Sequence, residues 1–227
     1  MSLISDSDRA RLTSDFAAMT RPVTLLFFSQ TIGCETCLQT RQVIDELPPL
    51  SSRITIEEAN LVLDRDRAAR YGIDRAPSLA LLGQDEHGHE IDSHIRFVGT
   101  PSGYEFISLI RAILLVGGGA SMLSPGSREK LAAIDTPMSM FVFSTPTCPH
   151  CPKAVTLAHE IAWANPNVTA YAVEATENPD LSRQYRVTGV PKTVINGQVE
   201  ILGAVPEDTF IEQTLAGFAG GRVDDAP

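Results

Sequence analysis

Ser144-Thr145-Pro146-Thr147-Cys148-Pro149-His150-Cys151 stands directly after the apolar run Met138 to Phe143, and Gly189-Val190-Pro191 follows about 40 residues later. The same layout occurs once more, earlier in the chain. Cys34-Glu35-Thr36-Cys37 follows the apolar run Val23 to Phe28, and Ala76-Pro77 lies downstream of it. Cys34 and Cys148, Cys37 and Cys151, Tyr71 and Tyr185, and Pro77 and Pro191 are each 114 positions apart. The apolar runs align at an offset one larger, so the first loop carries one extra residue, within Gln30-Thr31-Ile32-Gly33. Two copies of one unit account for a constant offset over this span.

Each copy alternates strand-like and helix-like segments. Leu12, Phe16 and Met19 have helical spacing, Val23 to Phe28 is a short apolar strand, and the cysteine motif opens an amphipathic segment from Cys37 to Leu47 closed by Pro48-Pro49. Ile54 to Ile56 reads as a strand and Asp64 to Tyr71 as a helix. A hairpin from Ser78 to Val98 and a helix from Pro101 to Leu115 complete the copy. The second copy repeats that order from Met138 to Phe218. The pattern predicts an α/β fold of two units, residues 1–118 and 119–227, with a linker from Gly117 to Ser127 and a frayed tail after Gly220.

Composition narrows the function. Hydrophobic residues make up 43% and charged residues 20% of the 227, which is the balance of a folded globular chain. The net charge of -10 argues against a nucleic-acid or anionic-membrane surface, because both need clustered Lys and Arg. Asp6, Asp8, Arg9, Arg11 and Asp15 interrupt the first segment, and Gly117, Gly118 and Gly119 interrupt the longest apolar stretch. Neither an export signal nor a membrane span is expected, and the expected location is cytoplasmic.

The four cysteines all fall in the two Cys-x-x-Cys pairs. Where structural disulfides are rare, that usage points to redox chemistry or metal binding. Four thiolates could hold zinc, but zinc pairs stand about 15 to 20 residues apart, whereas Cys37 and Cys148 are separated by 111 positions. No metal is therefore expected. A cysteine at a helix start sits among unpaired N–H groups at the positive end of the helix dipole, which favours the thiolate. A second cysteine one turn on can attack the resulting mixed disulfide. Cys148 and Cys34 are thus the expected attacking thiols, and Cys151 and Cys37 the resolving ones.

The cysteine motif after a strand, with Gly189-Val190-Pro191 following, resembles a thioredoxin or glutaredoxin domain. Two such units in one chain resemble the glutaredoxin-like protein disulfide oxidoreductases of thermophilic prokaryotes. A relative with the same paired folds is the amino-terminal domain of the flavoprotein component of alkyl hydroperoxide reductase, which typically keeps one working pair. The resemblance implies two tandem thioredoxin-like folds, each a central mixed β-sheet flanked by helices. It also implies cis prolines at Pro191 and Pro77 and backbone contacts to an extended substrate at Val190 and Ala76. The redox-active disulfides would need no other cofactor. The implied partners are disulfide or dithiol proteins, together with a thioredoxin-reductase-like flavoprotein or a peroxiredoxin.

The two motifs should differ. Cys148-Pro149-His150-Cys151 matches the dipeptide of strongly oxidising bacterial thiol oxidases, in which the histidine further stabilises the thiolate, so His150 is the expected tuning residue. Cys34 instead has the carboxylate of Glu35 beside it, which disfavours a thiolate, and its motif lacks the proline. Glu57, Glu58 and Glu174 read as solvated charge at strand ends, with a buried proton acceptor as the alternative. His87, His89 and His94 read as a polar hairpin, and Trp163 as core. Three functions follow as alternatives: dithiol exchange on proteins, an electron relay serving a peroxiredoxin, and peptide binding with incidental cysteines.

Overall fold

A computed structural model of the chain describes residues 4–220; the tail that the sequence reads as frayed lies outside the described residues. The first repeat runs α1 (Asp6–Ala17), β1 (Val23–Ser29), α2 (Cys37–Asp45), a 3-10 turn at Pro48–Leu50, β2 (Ile54–Asn60), α3 (Arg65–Arg70), β3 (Ser78–Gln84), β4 (Glu90–Val98) and α4 (Tyr104–Val116). The second runs α5 (Pro125–Leu131), β5 (Met138–Ser144), α6 (Cys151–Ala164), β6 (Val168–Glu174), α7 (Pro179–Gln184), β7 (Lys192–Ile195), β8 (Val199–Leu202) and α8 (Glu207–Gly220).

Helix α5 corrects the sequence reading, which places its first residues in the linker. Ser124 caps it by accepting the Ser127 N–H at 3.1 Å, and Pro125 occupies the first turn. Both are favoured helix-start residues. With only Ser127 and Leu131 buried, seven residues carry too short a periodicity to stand out.

Among the described residues each repeat contributes four strands, and the eight form one sheet in the order β2-β1-β3-β4-β6-β5-β7-β8. The join is the parallel pairing of β4 with β6, registered Ile95 to Ala170, Arg96 to Tyr171, Phe97 to Ala172 and Val98 to Val173. Strands β1, β2, β4, β5 and β6 all run the same way. The loops that carry the cysteines leave the carboxyl ends of β1 and β5, so both motifs sit on one edge of the sheet.

Helix α6 lies deep, with Ala154, Val155, Ala158 and Ile161 fully buried, and α4 of the first repeat packs against it. A helix that is apolar nearly all round belongs in an interior. No helix among the described residues is long and apolar enough to cross a membrane.

The join leaves little room at its end. Gly99 has φ +97°, and a Cβ there would stand 2.7 Å from Glu174 Cβ. Gly99→Ala should therefore destabilise the chain by about 1–3 kcal/mol, the scale of a disfavoured backbone conformation. A denaturation midpoint in urea unchanged from the parent would contradict this account of the join.

Candidate active sites

Both cysteine pairs form disulfides, Cys34–Cys37 and Cys148–Cys151, each with a Cα–Cα distance of 5.5 Å. In each pair the second cysteine is the first residue of a helix, α2 or α6, and the first lies just ahead of it. Among the described residues, no group of three or more His, Cys, Asp or Glu side chains could hold a metal ion.

At the second site the Cys151 N–H donates to Cys148 Sγ at 3.1 Å, so an end-of-helix amide points at the sulfur of the first cysteine. Cys148 is 8% exposed and Cys151 is fully buried. Cys148 is thus less open than the sequence reading pictures for an attacking thiol. His150 is exposed at the N-cap of α6, and its side chain makes no capping bond.

The first site is built differently. Cys34 and Cys37 are both half-buried, and no backbone amide among the described residues donates to Cys34 Sγ. Thr36, the N-cap of α2, turns its hydroxyl away from the helix to Glu177 Oε2 at 2.7 Å. Ile32 and Leu38, on either side of the motif, are 88% and 71% exposed, so the surroundings of this disulfide are apolar as well as acidic.

The peptide bonds Ala76–Pro77 and Val190–Pro191 are both cis. Each proline precedes the first residue of its strand. Ser78 pairs with Phe28 and Lys192 with Phe143, so the prolines fall level with the ends of β1 and β5 from which the cysteine loops depart. Ala76 and Val190 are half-buried beside them.

The first repeat also reaches into the second site. The Tyr104 N–H, at the start of α4, donates to the Pro146 carbonyl at 2.9 Å, two residues before Cys148. Glu105 follows, 3% exposed, with its Oε1 lacking a hydrogen-bond partner. Burial raises its carboxyl from 4.5 to about 7, the Ser144 hydroxyl pulls it down, and the negative charge of Glu174 adds to the rise. Glu174 is itself buried, a correction to its reading as solvated charge: it accepts both Thr176 Oγ1, at 2.8 Å, and the Glu177 N–H. Glu57 and Glu58 are exposed and paired with Arg67 and Arg41. His87 and His89 are exposed at the hairpin, and Trp163 packs partly buried against the core. Glu105 and Glu177 carry no local sequence signal, because Glu105 meets Ser144 and Glu174 of the second repeat and Glu177 accepts from Thr36 and Thr100 of the first.

Comparison with known proteins agrees with this geometry. The thioredoxin domain family model matches residues 138–216. The N-terminal domain of alkyl hydroperoxide reductase from Enterococcus faecalis superposes with a TM-score of 0.83 at 30% identity, covering 92% of this chain and 98% of that one. A protein disulfide oxidoreductase from Aeropyrum pernix superposes with a TM-score of 0.85 at 29% identity, covering 95% and 94%. The chain belongs to the thioredoxin superfamily, as two tandem thioredoxin-like units each bearing a Cys-x-x-Cys disulfide. The F component of the Pseudomonas putida alkyl hydroperoxide reductase is 32% identical over 131 residues, 54% of this chain, and the match spans only 25% of that protein.

The raised carboxyl of Glu105 makes a stability test. Between pH 4.5 and about 7 the unfolded carboxyl has lost its proton while the folded one keeps it, so stability falls as pH rises through that window. Glu105→Gln should remove this slope. It should be more stable than the parent by about 2–3 kcal/mol at pH 8 and nearly equal to it below pH 4.5. Parallel urea titrations at the two pH values read the difference, and equal parent stability at both would refute the buried-acid assignment.

Proposed function

We propose that the chain is a thiol–disulfide oxidoreductase acting on protein substrates, with Cys148/Cys151 as its principal site and Cys34/Cys37 as a second. The Cys151 amide pointing at Cys148 Sγ carries this reading, because a donor at a helix start stabilises the thiolate that attack requires. Cys148 thiolate attacks a substrate disulfide, forming a mixed disulfide and releasing one substrate thiolate. Cys151 then loses its proton and attacks Cys148 Sγ, releasing the second substrate thiol and closing the Cys148–Cys151 disulfide. Two electrons pass from the cysteine pair to the substrate, and the reverse sequence oxidises a dithiol.

Glu105 is the proposed acceptor of the Cys151 proton. Its Oε1 is buried without a partner among the described residues, the adjoining Tyr104 amide is bonded to Pro146 in the loop that carries Cys148, and a carboxyl near 7 can take and return a proton at neutral pH. His150, exposed at the helix start, is proposed to add positive character beside the Cys148 thiolate. Val190 and Ala76, ahead of the cis prolines, are proposed to pair with extended substrate backbone.

A second reading is a relay. The likeness to alkyl hydroperoxide reductase supports a redox protein as partner, with a flavin-dependent reductase as electron source and a peroxiredoxin as acceptor. Insulin reduction by the intact chain would favour general exchange. Negligible insulin reduction with rapid turnover of one protein partner would favour the relay.

The roles at the second site separate cleanly in a Cys34→Ser/Cys37→Ser background. There Cys151→Ser should accumulate a mixed disulfide through Cys148, and Cys148→Ser should not. Adducts forming equally in both variants, read by mass spectrometry, would reverse the assignment. Their absence from both would remove the site from dithiol catalysis.

A further inference from the structure

The loop of the first disulfide is held by a residue of the second repeat. Thr36, between Cys34 and Cys37, donates to Glu177 Oε2 at 2.7 Å, and the same oxygen accepts the Thr100 N–H at 3.1 Å. Glu177 lies between β6 and α7, 141 positions from Thr36 in sequence. It is fixed in turn: its own N–H donates to the buried carboxylate of Glu174, and the neighbouring Asn178 Nδ2 donates to the carbonyls of Val98 and Glu174. A carboxylate is therefore anchored against the first redox loop by the join between the repeats.

The charges around that loop do not offset it. Glu35 is exposed on the loop itself. Arg41, on α2, is engaged by Asp45 at 2.7 Å and Glu58 at 2.6 Å. Arg75, near Asn178, is engaged by Asp74 at 3.1 Å and Asp180 at 3.0 Å. The Thr36 hydroxyl, which could otherwise donate to a sulfur anion, is given to Glu177. A thiolate formed at Cys34 would thus arise on a loop that carries the carboxylate of Glu35 and is bonded to that of Glu177, without the amide donor that Cys148 enjoys.

We propose that Glu177 is a positioning residue through which the second repeat sets the redox poise of the first pair, holding Cys34–Cys37 toward the disulfide. The proposal rests on reading that pair as a reversible couple. The reaction is the disulfide plus two glutathione thiols giving the dithiol plus glutathione disulfide, a transfer of two electrons and two protons. Where pH is high enough for Cys34 to release its proton, the product gains an anion next to Glu35 and Glu177. Like charges disfavour it, so reduction is opposed. Where both cysteines stay protonated, that repulsion vanishes.

The experiment uses the full chain with Cys148→Ser and Cys151→Ser, so that only the first pair exchanges, in glutathione redox buffers at pH 6 and pH 9. Glu177→Gln keeps an oxygen for Thr36 and Thr100 and removes the charge. Its equilibrium constant for reduction should rise by about three- to tenfold at pH 9 and by less than about 1.5-fold at pH 6, with the alkylation midpoint of Cys34 moved to lower pH. Glu177→Asp keeps the charge and should stay within about twofold of the parent at both pH values. A Gln variant within about twofold of the parent at pH 9, a shift of equal size at both pH values, or equal shifts in Gln and Asp would overturn the charge argument. A parent pair that glutathione cannot reduce reversibly would overturn both the proposal and the reading of the first site as a redox couple, without touching Cys148/Cys151.

Discussion

The parallel pairing of β4 with β6 is the constraint on which the rest of the molecule depends. Four residue pairs, Ile95 to Val98 against Ala170 to Val173, turn two four-stranded sheets into one. An edge strand left open would expose a row of unpaired N–H and C=O groups; here each repeat closes the other's edge. The same pairing fixes which side chains can cross between repeats. It sets α4 against α6, docks Tyr104 on Pro146, brings Glu177 to Thr36, and lets Arg75 meet Asp180.

The consequence for chemistry is that neither site is made by one repeat alone. The loop before Cys148 is docked by Tyr104 of the first repeat, next to the buried Glu105, and the loop of the first pair is held by Glu177 of the second. This exchange is unequal. The sulfur of Cys148 receives an amide, and the loop before it docks on the helix start that carries Glu105, whereas the Thr36 hydroxyl between Cys34 and Cys37 is given to a carboxylate. Two copies of one sequence pattern therefore carry different chemistry because of what the join presents to each.

The repeat, the strand order within each copy and the place of both disulfides are legible in the sequence, because a fixed offset and short apolar runs are local signals. The offset also pairs Pro77 with Pro191, but their cis form is read from the resemblance to the thioredoxin fold. The β4–β6 join is not: Ile95 to Val98 reads simply as one arm of a hairpin, and nothing local says which foreign strand covers its free side. Glu105 has the look of an ordinary acid in the first turn of a helix, a common position for one. Its carboxyl meets Ser144 and Glu174 of the second repeat, 39 and 69 positions away. Glu174 misleads in the same way, since a strand-end acid is usually solvated, and here the 175–178 turn bonds back to it while Gly99 of the first repeat packs against it.

The sheet also sets what the two disulfides can do together. The ends of β1 and β5 are four strand positions apart, which at about 4.8 Å per strand is roughly 19 Å. Thiol–disulfide exchange needs sulfurs in bonding contact, so the two pairs cannot trade electrons directly across a rigid sheet. The loops that carry them nonetheless leave the same edge of the sheet. On the function proposed above, electrons pass between them only by way of a third thiol pair on a partner that visits both. Such a carrier would meet an apolar and acidic surround at Cys34, with Ile32 and Leu38 exposed, and the more buried sulfur of Cys148 at the other stop.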